Sequence, residues 1–193
     1  MATDLQTAAV QKLYISYFSR PADAAGLDYW KGALAANPDA GHDMARQFSL
    51  SQEYRDMYTG LDARAMVTAT YDKLFGRAAE MAGVDYWAGL LETSQVSIDN
   101  MVTRIADGAQ GNDKIAFRAR WEAAAVFTER LDLPEEKSAY SGVAANKIAS
   151  DWIATIKDLQ TGAMAQDVGV VDGVIAQIVG AGTTGLDTTG IFN

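Results

Sequence analysis

Apolar residues recur along the chain at spacings of three and four, which is the period of an amphipathic α-helix. One such run contains Tyr14, Tyr17 and Phe18. No segment shows the sustained period-two alternation of a half-buried strand, and the prolines at 21, 38 and 134 fall at breaks between apolar runs. The pattern predicts an all-α fold of roughly nine helices, over residues 4–19, 23–36, 41–58, 62–76, 79–93, 97–108, 112–132, 135–161 and 166–180.

The first half of the chain contains an internal repeat. Residues 10–34, VQKLYISYFSRPADAAGLDYWKGAL, align without a gap with residues 67–91, VTATYDKLFGRAAEMAGVDYWAGLL, at a period of 57 residues. Identical residues recur in order, tryptophan among them, so chance is a poor explanation. Within a helical domain over 1–180, we expect repeat one at about 4–60, repeat two at about 61–111 and non-repeated helices at about 112–180. The Gly- and Thr-rich residues 181–193 are expected to form a flexible linker or to begin a following module.

Each repeat joins two helices through the motif R-x-A-x-x-A-G-Ω-D-Y-W, where Ω is Leu27 or Val84. The glycine allows close helix approach, the aspartate caps or orients the turn, and the Tyr-Trp pair fills the space between the helices. The arginine ends the first helix, where the helix dipole favours a cation, and is expected to reach the motif's aspartate. These structural roles fall on Arg20, Gly26, Asp28, Tyr29 and Trp30 in repeat one and on Arg77, Gly83, Asp85, Tyr86 and Trp87 in repeat two.

Composition excludes several classes of protein. The 193 residues include 25 Asp and Glu against 16 Lys and Arg, a formal net charge of −9. This acidic balance argues against binding to nucleic acid or to an anionic membrane surface. The absence of cysteine excludes disulfides, thiolate metal sites and cysteine nucleophiles. The N-terminal sequence MATDLQTAAVQK has no apolar signal-peptide core, and no segment is apolar for long enough to predict a membrane span.

The sequence contains no recognisable catalytic motif. His42 is the single histidine, and neither H-E-x-x-H nor G-x-S-x-G is present, so a solvated or capping role is favoured for it. The GAQGND segment at 108–113 lacks the alternating acids and final glutamate of an EF-hand, which favours a simple turn. Asp107 and Asp113 stay candidates for cation binding together with a partner's oxygens. An enzyme is not expected, although a glycosidase carboxylate pair cannot be recognised from sequence.

Aromatic and basic residues of the non-repeated part indicate where a glycan would bind. The faces of pyranose rings pack on aromatic side chains, and basic groups donate hydrogen bonds to hydroxyls. The alternative interpretation is that the tryptophan belongs to the helical core and that the arginines are solvated. The candidate glycan-binding residues are Trp121, Arg118, Arg120, Tyr140 and Lys147.

Residues 13–34 and 50–91 resemble an all-helical domain of unknown function. That domain recurs in secreted bacterial surface proteins, including S-layer proteins and proteins with glycine- and aspartate-rich calcium-binding repeats. The resemblance covers residues 10 to about 94. Phycobilisome linker domains are similar in part of the pattern. The matching motifs are S-x-E-[FY], Y-x-x-x-[LF]-[GS]-R and A-G-[LV]-x-Y-W, here at Ser51-Glu53-Tyr54, Tyr71-Phe75-Arg77 and Gly83-Trp87.

The layout also resembles the N-terminal anchoring region of S-layer proteins of the Caulobacter type. That resemblance implies an extracellular location at the bacterial cell surface, type I secretion without an N-terminal signal peptide, and binding to the O-antigen of lipopolysaccharide. It also implies a C-terminal lattice-forming module of the same protein as a partner. The chain has no G-G-x-G-x-D repeat, so calcium binding is not transferred to any of its residues.

The function expected from this resemblance is that of a non-catalytic module that anchors an S-layer-type protein to O-antigen polysaccharide. No cofactor is expected within the chain, and calcium at the protein–glycan interface is left open. Self-assembly is a further expected interaction, whereas nucleic-acid binding and direct membrane insertion are not expected. The alternative is a protein–protein assembly or linker module that binds no glycan.

Overall fold

Twelve α-helices make up the regular secondary structure of residues 4–184, which are the residues that the computed structural model describes. No strand occurs in this range, so the predicted all-α class is confirmed. The helices are α1 (Leu5–Phe18), α2 (Ala24–Ala36), α3 (Ala40–Ser49), α4 (Gln52–Tyr58), α5 (Ala63–Phe75), α6 (Met81–Glu92), α7 (Ile98–Asp107), α8 (Gly111–Arg130), α9 (Pro134–Ala139), α10 (Gly142–Ala154), α11 (Leu159–Ala165) and α12 (Val168–Thr184).

The prediction of nine helices is wrong, because local capping residues divide two of them. The segment predicted as one helix over 41–58 is α3 and α4, since the Ser51 hydroxyl accepts a hydrogen bond from the Tyr54 N–H at 3.2 Å and starts a new helix. The segment over 135–161 is α9, α10 and α11. Gly142 has a positive φ of 79° at the first break, and Asp158 caps α11 through the Thr161 N–H at 2.8 Å.

The helix bounds follow the sequence repeat. Helices α1, α2 and α3 recur as α5, α6 and α7 about 57 residues later. The fourth helices differ, because α4 spans 7 residues whereas α8 spans 20 and continues into the non-repeated part. The correspondence therefore ends within α8.

Two hydrophobic clusters form the core. One joins α1–α4 and receives Val102 from α7. The other receives Ile15 from α1 and extends from α5 through α12, so that Leu74, Phe127, Trp152 and Ile178 belong to one buried cluster. The non-repeated helices are consequently part of the same core as repeat two rather than an appended segment. Helix α8 lies at the centre and packs against α1, α5, α10, α11 and α12.

The last helix extends beyond its predicted end at 180 and continues to Thr184. The rest of the predicted linker, residues 185–193, lies outside the described residues. Among the described residues, no single helix is long and apolar enough to cross a membrane. Helices α11 and α12, taken as a pair up to Gly182, meet the length and composition requirement together but are bent by 63°.

The N-cap of α1 makes stability depend on pH. The Asp4 carboxylate accepts hydrogen bonds from the Thr7 N–H at 2.7 Å and from Lys31 Nζ at 2.9 Å. The Thr7 bond is the larger influence, and together the two lower the pKa of Asp4 to about 2. Because the pKa in the folded state is below the unfolded value, the stabilisation is present above about pH 4 and is lost as the pH falls through 2.

We expect Asp4→Asn to reduce the free energy of unfolding by about 0.5–1 kcal/mol at pH 7. Asparagine keeps the capping oxygen but removes the charge, and the half-exposed position of Asp4 leaves that charge partly screened. Urea unfolding at pH 7 and pH 2 measures the effect, which should be much smaller at the lower pH, where about half of the folded chains carry a protonated Asp4. Asp132→Asn, at an exposed carboxylate in no ion pair of the described chain, is the control. A difference between Asp4→Asn and the native chain that stays constant with pH would contradict the assignment.

Candidate ligand-binding groove

The motif arginine of each repeat forms a two-pronged ion pair with the fourth helix. Arg20 Nε and Nη2 lie 2.7 and 2.9 Å from the Glu53 carboxylate oxygens, and Arg77 Nε and Nη2 lie 2.6 and 2.7 Å from those of Asp113. Glu53 is in the first turn of α4 and Asp113 in the first turn of α8. The positive end of the helix dipole also stabilises both carboxylates at these positions. The ion pairs therefore attach the turn after the first helix to the start of the fourth helix in both repeats.

The predicted contacts of these arginines with Asp28 and Asp85 are wrong. Both aspartates are solvent-exposed on the second helix of their repeats. Asp85 Oδ1 pairs instead with Arg64 Nη1 at 2.6 Å, and Asp28 forms no ion pair within the described residues. The motif aspartate does not cap its helix either, because the N-cap positions are Asp23 and Glu80.

Only the tryptophan of each Tyr-Trp pair enters the core. Trp30 is buried and Trp87 is half-buried, whereas Tyr29 and Tyr86 are 65% and 61% exposed. Successive residues of a helix point about 100° apart, so neighbouring side chains cannot both face the same interior. The expectation that both aromatic residues fill the space between helices is wrong for the tyrosines. Each tyrosine ring packs edge-on against its tryptophan, with centroids 5.0 and 5.3 Å apart.

The two motif glycines differ in their surroundings. A Cβ atom on Gly26 would overlap the Tyr14 hydroxyl of α1, so this position requires glycine for the close approach of α1 and α2. A Cβ atom on Gly83 would lie 3.4 Å from the Tyr71 hydroxyl, which is an ordinary contact.

The equivalent arginines should differ in their contribution to stability. Arg20 is 10% exposed and lies over the Phe18 and Tyr140 rings, whereas the side chain of Arg77 is 35% exposed. We expect Arg20→Met to lower the free energy of unfolding by about 2 kcal/mol and Arg77→Met by about 1 kcal/mol or less. Chemical denaturation of the two single variants measures the difference. Equal losses would show that burial does not distinguish these pairs.

Two of the predicted glycan-binding residues are buried and are wrong as ligand contacts. Arg120 is 1% exposed, and its guanidinium donates to the carbonyl of Ile156 at 2.8 Å and to those of Asp72 and Lys73 at the end of α5. Burial lowers the pKa of Arg120 to about 10, which still leaves it charged at pH 7.

Tyr140 is 3% exposed, and its hydroxyl donates to the Pro21 carbonyl at 2.7 Å. Burial raises the pKa of this phenol, so it stays a protonated donor. Arg120 holds the end of α5 and Tyr140 holds the turn between α1 and α2. Neither side chain is accessible to a surface ligand.

The remaining three predicted glycan-binding residues are not brought together into a site. Arg118 pairs with Glu122 at 2.7 Å beside a recess between α8 and α11. Trp121 is half-buried, with Lys12 Nζ 5.2 Å from its ring centroid. Lys147 is exposed on α10 and pairs with Asp151 at 2.6 Å.

The candidate cation ligands are also separated. Both carboxylate oxygens of Asp113 accept from Arg77, whereas Asp107 lies at the end of α7 and faces a different surface. In the described part of the chain, no group of three or more His, Asp or Glu side chains is placed to hold a metal ion.

A groove of about 760 Å³ runs between α1, α3 and α7. Its walls are therefore the third helices of the two repeats, and α1 forms its floor. Six of the lining residues are small, so their side chains leave part of the space between the three helices unfilled. The small lining residues are Ala8, Ala9, Ser16, Gly41, Ala45 and Ala106.

Charged side chains of both signs line the groove, and none of them forms an ion pair in the described structure. All eight ion pairs recorded for the described residues lie elsewhere. His42, Asn100 and Thr103 add neutral polar groups, and Tyr17 closes the floor. The cationic lining residues are Lys12, Arg46 and Arg104, and the anionic ones are Asp39, Asp99 and Asp107.

The groove cannot be predicted from the sequence, because its lining residues come from segments that are distant in the chain. One local signal was available. Asp107 is the last residue of α7, where the helix dipole disfavours an acidic side chain, so helix stability does not explain its presence. His42, for which a solvated or capping role is predicted, is exposed and lies in the groove.

Comparison with protein families identifies the repeated part. A family model described as a domain of unknown function (DUF4214) matches the chain twice, over residues 3–58 and 45–110. No curated protein and no solved structure matches the chain. The two family matches overlap, and together they cover more than half of the chain, from α1 to the end of α7 and the turn after it. The chain therefore belongs to the DUF4214 family, in which it carries the domain pattern twice within one continuous helical fold.

Proposed function

We propose that the chain is a non-catalytic module that anchors a secreted S-layer-type protein at the bacterial cell surface by binding the O-antigen polysaccharide of lipopolysaccharide. The observation that carries this proposal is the polar groove between α1, α3 and α7. It is large enough for a few sugar units, and it combines hydrogen-bonding side chains with an apolar floor.

The chemistry of the groove suits a sugar polymer. A pyranose ring has hydroxyls at its edge and aliphatic C–H groups on its faces. The hydroxyls require donors and acceptors, which the charged and amide side chains of the walls supply. The C–H faces require apolar surface, which Leu13, Ala45 and the edge of Phe117 supply.

The absence of catalysis is part of the proposal. Glycosidases require a carboxylic acid that an apolar environment keeps protonated, together with a second carboxylate at a defined separation. In this groove Asp39 and Asp107 are solvent-exposed, and Asp99 lies in the first turn of α7. None of the three therefore occupies the apolar pocket that a glycosidase acid requires.

Anchoring would gain its strength from many copies. A single shallow groove provides few contacts, but a lattice that presents many grooves to long polysaccharide chains binds with high avidity. A C-terminal lattice-forming module of the same protein would supply that multiplicity. Calcium at the protein–glycan interface is a separate question, which the chelator arm of the following test answers.

The test compares smooth cells with O-antigen-deficient cells of the same strain in a pull-down with the full chain, with and without a chelator. Retention on smooth cells alone is expected. Equal retention on both kinds of cell would overturn the glycan assignment. A chelator that abolishes retention would show that a divalent cation is required.

A protein–protein assembly module is the second candidate, and the exposed tyrosines favour it. Tyr29 and Tyr86 occupy equivalent positions in the two repeats, and both face solvent although their neighbours are buried in the core. Identity at exposed positions is not required for packing. Light scattering at increasing protein concentration distinguishes the candidates, because assembly without glycan would raise the apparent mass, and Tyr29→Ser combined with Tyr86→Ser should reverse it.

A further inference from the structure

We infer that the groove between α1, α3 and α7 binds an uncharged, hydroxyl-rich stretch of glycan through direct hydrogen bonds and without a bridging metal ion. The inference deepens the proposed function and rests on it. Its basis is the arrangement of charges in the groove, which distinguishes three kinds of ligand.

The balance of charge is the first observation. Three cationic and three anionic side chains line one groove, yet no cation in it lies within ion-pair distance of a carboxylate. Both signs of charge occur on each wall, since Arg46 and Asp39 belong to the α3 wall and Arg104 shares α7 with Asp99 and Asp107. Lys12 is on the floor helix α1, whereas Arg46 and Arg104 stand on opposite walls. The guanidinium groups of Arg46 and Arg104 form no ion pair or hydrogen bond in the described structure and can meet a ligand, whereas Lys12 Nζ lies over the Trp121 ring.

The second observation is the complementarity of these groups to hydroxyls. Guanidinium and ammonium groups only donate hydrogen bonds, and carboxylates only accept them. A sugar hydroxyl does both, so a pair of neighbouring hydroxyls can accept from a cation on one wall and donate to a carboxylate on the other. Bonds to charged groups are about twice as strong as those between neutral partners.

An anionic polymer fits the same walls less well. Its charge would be attracted by Arg46 and Arg104 but repelled by Asp39, Asp99 and Asp107 across the same space. The net charge of −9 on the whole chain adds to that repulsion.

A bridging cation also fits poorly. No group of three or more acidic or histidine side chains in the described part of the chain converges on a metal position, and the arginines on both walls would repel the ion. The uncharged ligand is the one that uses both signs of charge.

The sign of the effect of two neighbouring substitutions distinguishes these ligands. Arg104 and Asp107 are exposed residues in the last turn of α7, and neither makes an ion pair in the described structure. Arg104→Gln and Asp107→Asn remove the charges with little change of shape. An uncharged glycan should lose about 10-fold in affinity with either variant. An anionic glycan should bind the first variant more weakly and the second more tightly, and a metal-bridged glycan should show the reverse.

The experiment measures binding of the full chain to delipidated O-polysaccharide from the smooth strain by isothermal titration calorimetry, in buffer with excess EDTA and in buffer with calcium. The matched controls are Lys114→Gln and Asp132→Asn, which change exposed charges outside the groove. Thermal unfolding monitored by circular dichroism verifies that all four variants fold.

Weaker binding by both groove variants, unchanged in EDTA, is the expected result. Opposite effects of the two variants, or binding that EDTA abolishes, would overturn the inference and leave glycan anchoring in place. Unchanged affinity in both variants would show that the glycan binds elsewhere on the protein, and would also overturn the inference. Failure of the native chain to bind the polysaccharide or the smooth cells would overturn both the proposed function and the inference.

Discussion

A chain that ends after residue 110, where the second family match ends, is expected not to fold cooperatively. The buried cluster of repeat two includes Phe117, Phe127 and Ile153, all of which this truncation removes. Leu74 and Val67 would then face water, and each buried aliphatic side chain contributes about 1.5–3 kcal/mol when it is transferred from water to the core. A marginally stable domain does not survive the loss of several such contributions at once.

The truncation also removes polar partners of the repeats. Arg77 loses its ion-pair partner Asp113. The Ala22 carbonyl loses the hydrogen bond that the Thr128 hydroxyl donates at 2.7 Å. Circular dichroism during urea titration measures the outcome against the full chain. A broad loss of helical signal without a transition is expected. A sharp transition with the slope of the full chain would show that the family domain folds alone.

Arg120→Met is expected to lower the free energy of unfolding by about 3 kcal/mol, the largest loss among the single substitutions considered. The guanidinium satisfies the Ile156, Asp72 and Lys73 carbonyls in the interior. Methionine fills a similar volume but donates no hydrogen bond, so the Ile156 and Lys73 carbonyls lose this donor, whereas the Asp72 carbonyl keeps the Gly76 N–H at 2.8 Å. The end of α5 also loses the cation that favours the negative end of its dipole.

Arg118→Met is the matched control, because Arg118 lies two residues away on the same helix and is exposed. Arg118→Met should lower the free energy of unfolding by no more than about 0.5 kcal/mol, which is the contribution of a surface i,i+4 ion pair such as Arg118–Glu122. Denaturant midpoints of the two variants measure the contrast. If Arg120→Met behaves like Arg118→Met, water replaces the guanidinium at no cost and the buried position is tolerant.

The sequence was informative wherever a local signal decides the structure. Aromatic residues at helical spacing predict α1 and α5, and the structure has helices at both places. The prediction failed where partners are distant along the chain. Arg20 pairs with Glu53, 33 residues away, rather than with the nearer Asp28, because only packing of α4 against α1 determines that choice.

The binding residues were predicted poorly for a related reason. Arg120 and Tyr140 have the chemistry of ligand contacts, but burial assigns them to backbone carbonyls, and no local pattern predicts that burial. The groove is lined by residues of three helices, α1, α3 and α7, which meet only in the folded state. Composition indicates which side chains bind sugars, whereas tertiary packing decides which of them reach solvent.

The contacts that hold the turn between α1 and α2 constrain the order in which the protein can fold. Thr128 and Tyr140 bind the Ala22 and Pro21 carbonyls across 106 and 119 residues of chain, so these contacts cannot form until all of residues 21–140 are present together. Contacts of such long range form late, after the entropy of a large loop has been lost. A chain that passes end-first through a narrow channel would therefore stay open until most of it has emerged, whichever terminus leads. Such a chain would complete its fold only beyond the channel, where the twelve helices of residues 4–184 can meet.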